Sequence, residues 1–111
     1  MGPGGRILHG SKKGFPVNIQ YVGFRVTATA RVYDFHVIDS LEEHRAFAVQ
    51  VKAEAFRSTT LKYQQGPEIC FLRLKRELAA ETTETPALRQ LKIEATDIHD
   101  YLERRTPRKR S

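Results

Sequence analysis

Apolar and polar residues alternate over most of residues 17–56, and this pattern constrains the fold more than any other feature of the chain. Alternation with a period of two is typical of a strand that buries one face. The apolar set of residues 24–32 and that of residues 33–37 lie on opposite phases. Because a one-residue shift moves every side chain across a sheet, we expect a bulge near residues 31–33, a sharp bend there, or a sheet covered on both faces.

A second alternating segment follows the polar stretch Asp39–His44 and predicts a return strand that runs as far as Phe56. Antiparallel pairing is the simplest connection across so short a loop, so the two strands form a long β-hairpin. Alternation over residues 91–95 predicts one more strand later in the chain.

The strongest helix signal covers about residues 67–81. Pro67, which follows Gly66, suits the first helical position because its missing N–H has no partner there. Ile69 and Leu72 lie more than a quarter-turn from the main stripe, so they need a second cover. That cover is either a C-terminal helix or the surface of a protein partner. The main apolar stripe faces the sheet and comprises Cys70, Phe71, Leu74 and Leu78.

A short C-terminal helix is predicted to begin at Thr96 or Asp97 and to end before Pro107. The order of elements predicts an α+β fold, in which a mostly antiparallel sheet packs against one central helix and this short helix. We assign residues 14–105 to a single domain, preceded by a flexible basic segment at 1–13 and followed by a basic tail at 106–111. The residues with periodic apolar spacing lie between these two basic ends.

Composition excludes several classes of protein. The 111 residues are 40% hydrophobic and 29% charged, which is ordinary for a globular domain. No apolar run approaches the roughly 20 residues of a membrane-spanning helix, and the first residues lack the apolar segment of an export signal. A single cysteine excludes an internal disulfide framework. We therefore expect a cytoplasmic protein that does not enter a membrane.

The net charge of +6 is concentrated at the two ends. Residues 1–13 contribute +3 and residues 103–111 contribute +4, whereas residues 14–102 sum to −1. Such ends either contact nucleic acid through phosphates or only keep the chain in solution. The candidate nucleic-acid contacts are Arg104, Arg105, Arg108, Lys109 and Arg110.

Catalytic motifs are absent from the sequence: it has no glycine-rich phosphate loop, no nucleophile elbow and no HExxH or CxxC pattern. Cys70 shares its stripe with apolar residues, which indicates a core cysteine. His36 and His44 flank the hairpin loop and could bind a divalent metal if they converge, although their spacing matches no known ligand pattern. Acidic residues close to them in sequence are Asp34, Glu42 and Glu43. We predict no catalytic residue, no metal site and no cofactor.

The sequence favours a small non-enzymatic domain that acts by binding a protein partner or a second copy of itself. Ile69 and Leu72 are the candidate partner surface. Two alternatives stay open: nucleic-acid binding through the basic ends, and an enzyme whose site is assembled from distant residues. An exposed apolar patch or a free sheet edge would favour the first interpretation, a contiguous basic surface the second, and a deep pocket with clustered titratable groups the third.

Overall fold

A computed structural model describes residues 17–39 and 43–105, with the backbone alone for Arg105. Four strands form one sheet in the order β1-β2-β3-β4. The first three strands are antiparallel neighbours, and β4 runs parallel to β3. This arrangement confirms the predicted α+β fold with a mostly antiparallel sheet. The elements are β1 (Asn18–Val26), β2 (Ala30–Ile38), β3 (His44–Lys52), α1 (Ala53–Ser58), α2 (Gly66–Ala79), β4 (Gln90–Lys92) and α3 (Ala95–Arg105).

The change of phase in the first half of the chain is produced by a chain reversal at residues 27–29. The backbone N–H of Thr27 donates to the carbonyl of Ala30 over 2.8 Å, and the N–H of Ala30 donates to Oγ1 of Thr27 over 3.1 Å. The predicted bulge near residues 31–33 is wrong, because β2 keeps one continuous register with β3 through that segment. The first half is therefore a three-stranded meander rather than one long hairpin.

The return strand β3 ends at Lys52 and does not continue to Phe56 as predicted. Residues 53–58 instead form the short helix α1, and the first backbone N–H of that helix, on Ala53, donates to the carbonyl of Thr29 over 2.8 Å. A 3-10 turn at Tyr63–Gln65 then leads directly into α2. The central helix thus occupies Gly66–Ala79, close to its predicted range.

The core lies between one face of the sheet and the helices α2 and α3. Cys70 is fully buried there, with its sulfur 4.0 Å from the carbonyl oxygen of Val49, and the prediction of a core cysteine is confirmed. Burial raises the pKa of the Cys70 thiol far above its ordinary value. Buried side chains of this core include Tyr33, Phe35, Val37, Phe47, Val49, Val51, Leu74, Leu91, Ile98 and Tyr101.

Helix α3 is attached to α2 by polar contacts as well as by the core. The hydroxyl of Tyr101 donates to Oε1 of Glu68 over 2.7 Å, and Nη2 of Arg76 donates to Oδ1 of Asp97 over 2.8 Å. The second carboxylate oxygen of Asp97 accepts the backbone N–H of Glu94, so it satisfies a donor at the start of α3. These contacts hold α3 against α2.

The opposite face of the sheet is mostly polar and partly exposed, although the apolar Val32 and Ile38 also lie on it and Ala30 at its end is buried. We call it the polar face; it carries Asn18, Gln20, Asp34, His36, Ala46, Ala48, Gln50, Gln90 and Lys92. Over the described residues, no helix has the length and apolar character needed to cross a bilayer.

Candidate protein-binding edge

Strand β1 forms one outer edge of the sheet. It pairs with β2 on its inner side, and no strand of the described residues pairs with its outer side. A nine-residue strand in this position presents a row of backbone N–H and C=O groups to another chain. The edge is therefore a template for strand addition.

Exposed apolar side chains are concentrated on this strand. Among the described residues, eight large apolar side chains are exposed, and five of them lie in β1 or immediately before it. Val22 and Val26 are each 67% exposed. Exposed apolar residues that lie together, unlike single scattered ones, often mark an interaction surface. The five are Val17, Tyr21, Val22, Phe24 and Val26.

The aromatic side chains of β1 extend the core toward the outer edge. The ring centroid of Tyr21 lies 5.5 Å from that of Phe35 and 6.3 Å from that of Tyr33. The ring of Phe24 lies 5.9 Å from Tyr33. Because Phe35 and Tyr33 are buried against the helices, Tyr21 and Phe24 lie on the helix side of the sheet while remaining close to half exposed.

An arginine joins this aromatic group to the segment before α2. The guanidinium carbon of Arg31 is 4.5 Å from the ring centroid of Phe24 and 4.1 Å from that of Tyr63, which is the range of cation–π contacts. The ring of Tyr63 in turn lies 4.7 Å from that of Phe56. We call the exposed part of this group, Tyr21, Phe24, Arg31 and Tyr63, the aromatic strip.

The register of β1 against β2 shifts between Tyr21 and Gly23. Val22 is the extra residue at this bulge, so it has no directly opposed residue on β2. Bulges increase the local twist of a strand and are common at sheet edges. The bulge lies near the middle of the strand, where Val22 is one of its two most exposed side chains.

The one charged residue of β1 is neutralised within the sheet. Nε and Nη2 of Arg25 donate to the two carboxylate oxygens of Asp34 over 2.9 and 2.8 Å. These hydrogen bonds lower the pKa of the Asp34 carboxyl, so the pair is ionised at neutral pH. The strand therefore presents an apolar edge with no uncompensated charge.

The predicted partner surface on α2 divides between core and surface. Ile69 is buried, with 2% of its area exposed, and belongs to the same cluster as Ile98 and Tyr101 of α3. Leu72 is 39% exposed. Of the two residues, Leu72 is the one that can meet a partner in this fold.

The predicted nucleic-acid contacts lie at the limit of the described residues. Arg104 is exposed near the end of α3. Arg108, Lys109 and Arg110 lie outside the described residues, as does the basic segment 1–13, and the structure gives no side-chain position for Arg105. Binding through these ends stays a prediction.

A cleft of about 650 Å³ separates α1 from α3. Its charged lining residues include Lys52, Glu94, His99 and Glu103. His99 and Glu103 approach each other to 3.6 Å, but their side chains are 70% and 61% exposed. Neither group is buried, so among the described residues this cleft does not bring together the buried titratable groups that are typical of a catalytic site.

No family model matches the chain, and no curated protein or solved structure matches it either. The geometry of the described residues is therefore the basis for a functional assignment.

Proposed function

We propose that the protein is an interaction module that associates through the outer edge of β1, and that the partner strand is β1 of a second copy. The observation that carries the proposal is the coincidence of three properties on one strand: nine residues whose outer side pairs with no strand of residues 17–39 and 43–105, exposed apolar side chains, and a single charge that Asp34 neutralises. Edge strands of monomeric proteins are normally short, charged or covered, so a long apolar edge indicates a surface that pairs with another chain.

Two copies of β1 can pair antiparallel about a two-fold axis. In such an interface each residue meets its counterpart reciprocally, and the contact closes at two subunits instead of growing into a fibre. Nine residues at roughly 3.3 Å each give a ladder of about 30 Å. The backbone groups of both strands then gain the partners that the outer side lacks.

The side chains support the same geometry. Rotation about an axis perpendicular to the sheet keeps the helix side of both copies on one side of the joined sheet. The aromatic strips of the two copies then approach each other across the new strand pair, where Tyr21 and Phe24 lose solvent exposure. Burial of apolar area stabilises association by roughly 25 cal/mol per Å², before the entropic cost of binding is subtracted.

Sedimentation velocity over a dilution series of the full chain tests the proposal. We expect a concentration-dependent dimer for the natural sequence. Val22→Lys places a charge at the centre of the proposed strand pair and should give a monomer with an unchanged circular dichroism spectrum. Leu88→Lys is the matched control: Leu88 is also exposed and apolar, at 61%, but lies outside β1.

Two results would overturn the proposal. One is a natural chain that stays monomeric at every concentration, which would leave a different protein as the candidate partner of the edge. The other is a Val22→Lys variant that dimerises as tightly as the natural chain, which would place the interface elsewhere.

A further inference from the structure

His36 and His44 converge on the polar face, near the end of the β2–β3 hairpin. In the ladder His36 lies opposite Ala46, and His44 lies opposite Ile38, so the two histidines are diagonal neighbours. Nε2 of His36 and Nδ1 of His44 are 3.2 Å apart, and the ring centroids are 4.9 Å apart. Both imidazoles can be reached from solvent.

The distance between the two nitrogens suits a pair of ligands on one metal ion. Zinc–nitrogen bonds of 2.0–2.1 Å in a tetrahedral arrangement place neighbouring ligand atoms about 3.3 Å apart. In the metal-free protein one ring N–H can donate to the other nitrogen over the same distance. To bind a metal ion, the donating nitrogen would pass its proton to the other nitrogen of its own ring, and both rings would turn their lone pairs toward the ion.

We propose that His36 and His44 chelate a divalent transition-metal ion of the zinc type, with water in the remaining coordination positions. Imidazole nitrogen suits zinc, copper and nickel, whereas calcium and magnesium prefer oxygen ligands. The described residues contain no cluster of three or more histidine, cysteine or acidic side chains that could hold a metal. Among the residues that the structure describes, the site therefore has two protein ligands, and we expect weaker binding than at a structural zinc site with four.

Two carboxylates close to the histidines, those of Asp34 and Asp39, have other partners. Asp34 accepts both hydrogen bonds from Arg25. Oδ1 of Asp39 accepts the backbone N–H of Glu43 over 2.9 Å. The side chain directly opposite His36 on β1 is the uncharged Gln20. The two ring nitrogens are thus the ligands that the geometry brings together.

Titration of zinc chloride into the untagged full chain by calorimetry tests this inference. We expect one ion per chain, with His36→Gln and His44→Gln each lowering the affinity at least tenfold. The chain has four histidines, so the control variant combines His9→Gln with His99→Gln and keeps only the proposed pair. That variant should bind zinc as the natural chain does.

The same experiment has outcomes that overturn the inference. They are an absence of binding by the natural chain, unchanged affinity in either single variant, or loss of binding in the control variant. Circular dichroism of each variant verifies that the sheet is intact. Because ligand binding to the native state raises its stability, zinc should also raise the melting temperature of the natural chain and of the control variant, but not of His36→Gln.

Discussion

The two edges of the sheet differ in length, charge and exposure. β1 has nine residues, of which Arg25 alone is charged, and that charge is paired. β4 has three residues, and Gln90 and Lys92 are polar while Leu91 points into the core. Short edges with charged side chains resist pairing with other chains, whereas long apolar edges invite it. The comparison teaches that, within the residues the structure describes, this sheet protects one edge and leaves the other available.

Each edge also depends on a different kind of support. Beneath β1, the buried ring of Tyr33 contacts the rings of Tyr21 and Phe24. The segment before β4 is held by a carboxylate: Oε2 of Glu81 accepts hydrogen bonds from Arg45 of β3 over 2.7 Å and from the backbone N–H of Ala87 over 2.9 Å. Aromatic packing thus supports the β1 edge, and charge-assisted hydrogen bonds to Glu81 support the segment before β4.

The largest expected effect comes from Gly66→Ala, which disturbs the support of β1. A Cβ at this position would overlap the ring of Tyr33, although alanine normally favours a helix over glycine. We expect overpacking to lower the free energy of unfolding by about 3 kcal/mol in urea titrations. Adding Tyr33→Leu, which removes the ring, should recover part of the loss. A Gly66→Ala protein as stable as the natural chain would contradict this close packing.

Leu91→Ala and Phe24→Ala should separate stability from association. Leu91 is 3% exposed, so its truncation should cost about 2–3 kcal/mol of stability and leave the dimer dissociation constant unchanged once the protein is folded. Phe24 is 49% exposed, and its truncation should weaken the dimer about tenfold with a smaller loss of stability, since interface aromatics contribute strongly to binding. Urea titration and sedimentation measure the two quantities. Equal effects of both variants on association would remove the distinction between the edges.

The stability of the protected side should depend on pH through Glu81. Burial raises the pKa of Glu81, but the hydrogen bonds from Arg45 and Ala87 outweigh burial, so its pKa is lowered from 4.5. A lowered native pKa means that the stabilisation is present above pH 4.5 and is lost as the pH falls through the native value. We expect Glu81→Gln to cost about 1–2 kcal/mol at neutral pH and to flatten the acid limb of the stability curve. If Glu81→Gln leaves the fall in stability at low pH unchanged, the pKa of Glu81 is the same in the folded and unfolded states.

The smallest expected effect is that of Leu72→Asp. Because Leu72 is 39% exposed on α2, a carboxylate there remains hydrated, and stability should fall by only about 1 kcal/mol through the lost apolar contact and the lower helix propensity of aspartate. Association through β1 should be unaffected. Loss of the dimer in a folded Leu72→Asp protein would instead locate the interface on α2.

The sequence pattern predicted the buried faces of β2 and β3, where alternation reflects burial. In β1 the same alternation was misleading, because its apolar side chains, such as Val22 and Val26, are exposed. The pattern missed the reversal at residues 27–29, where no glycine, proline, asparagine or aspartate signals a turn and the hydroxyl of Thr27 does the capping. It also missed α1, since six residues are too few to establish a helical period. Ile69 needed the second cover that α3 provides, and its burial depends on how the layers pack.

The candidate sites depend on contacts that sequence patterns do not record. Which strand forms an edge follows from the order of strands in the sheet, and the parallel position of β4 is set by pairing across a long connection. The convergence of His36 and His44 requires one register of the β2–β3 ladder, because a slip of one residue would send one ring to the other face. The sequence showed that the two histidines flank one hairpin loop, but it did not show that their ring nitrogens meet.

The crossover through α2 has a consequence for the order of folding. Strands β1 to β3 are joined by short connections, whereas Val49 of β3 pairs with Leu91 of β4 about 40 residues later in the chain, and such distant pairing forms slowly. We expect the meander to form first and β4 to join last. Amide hydrogens at the β3–β4 ladder should then exchange faster than those at β2–β3, and during this interval a newly made chain has two open sheet edges instead of one.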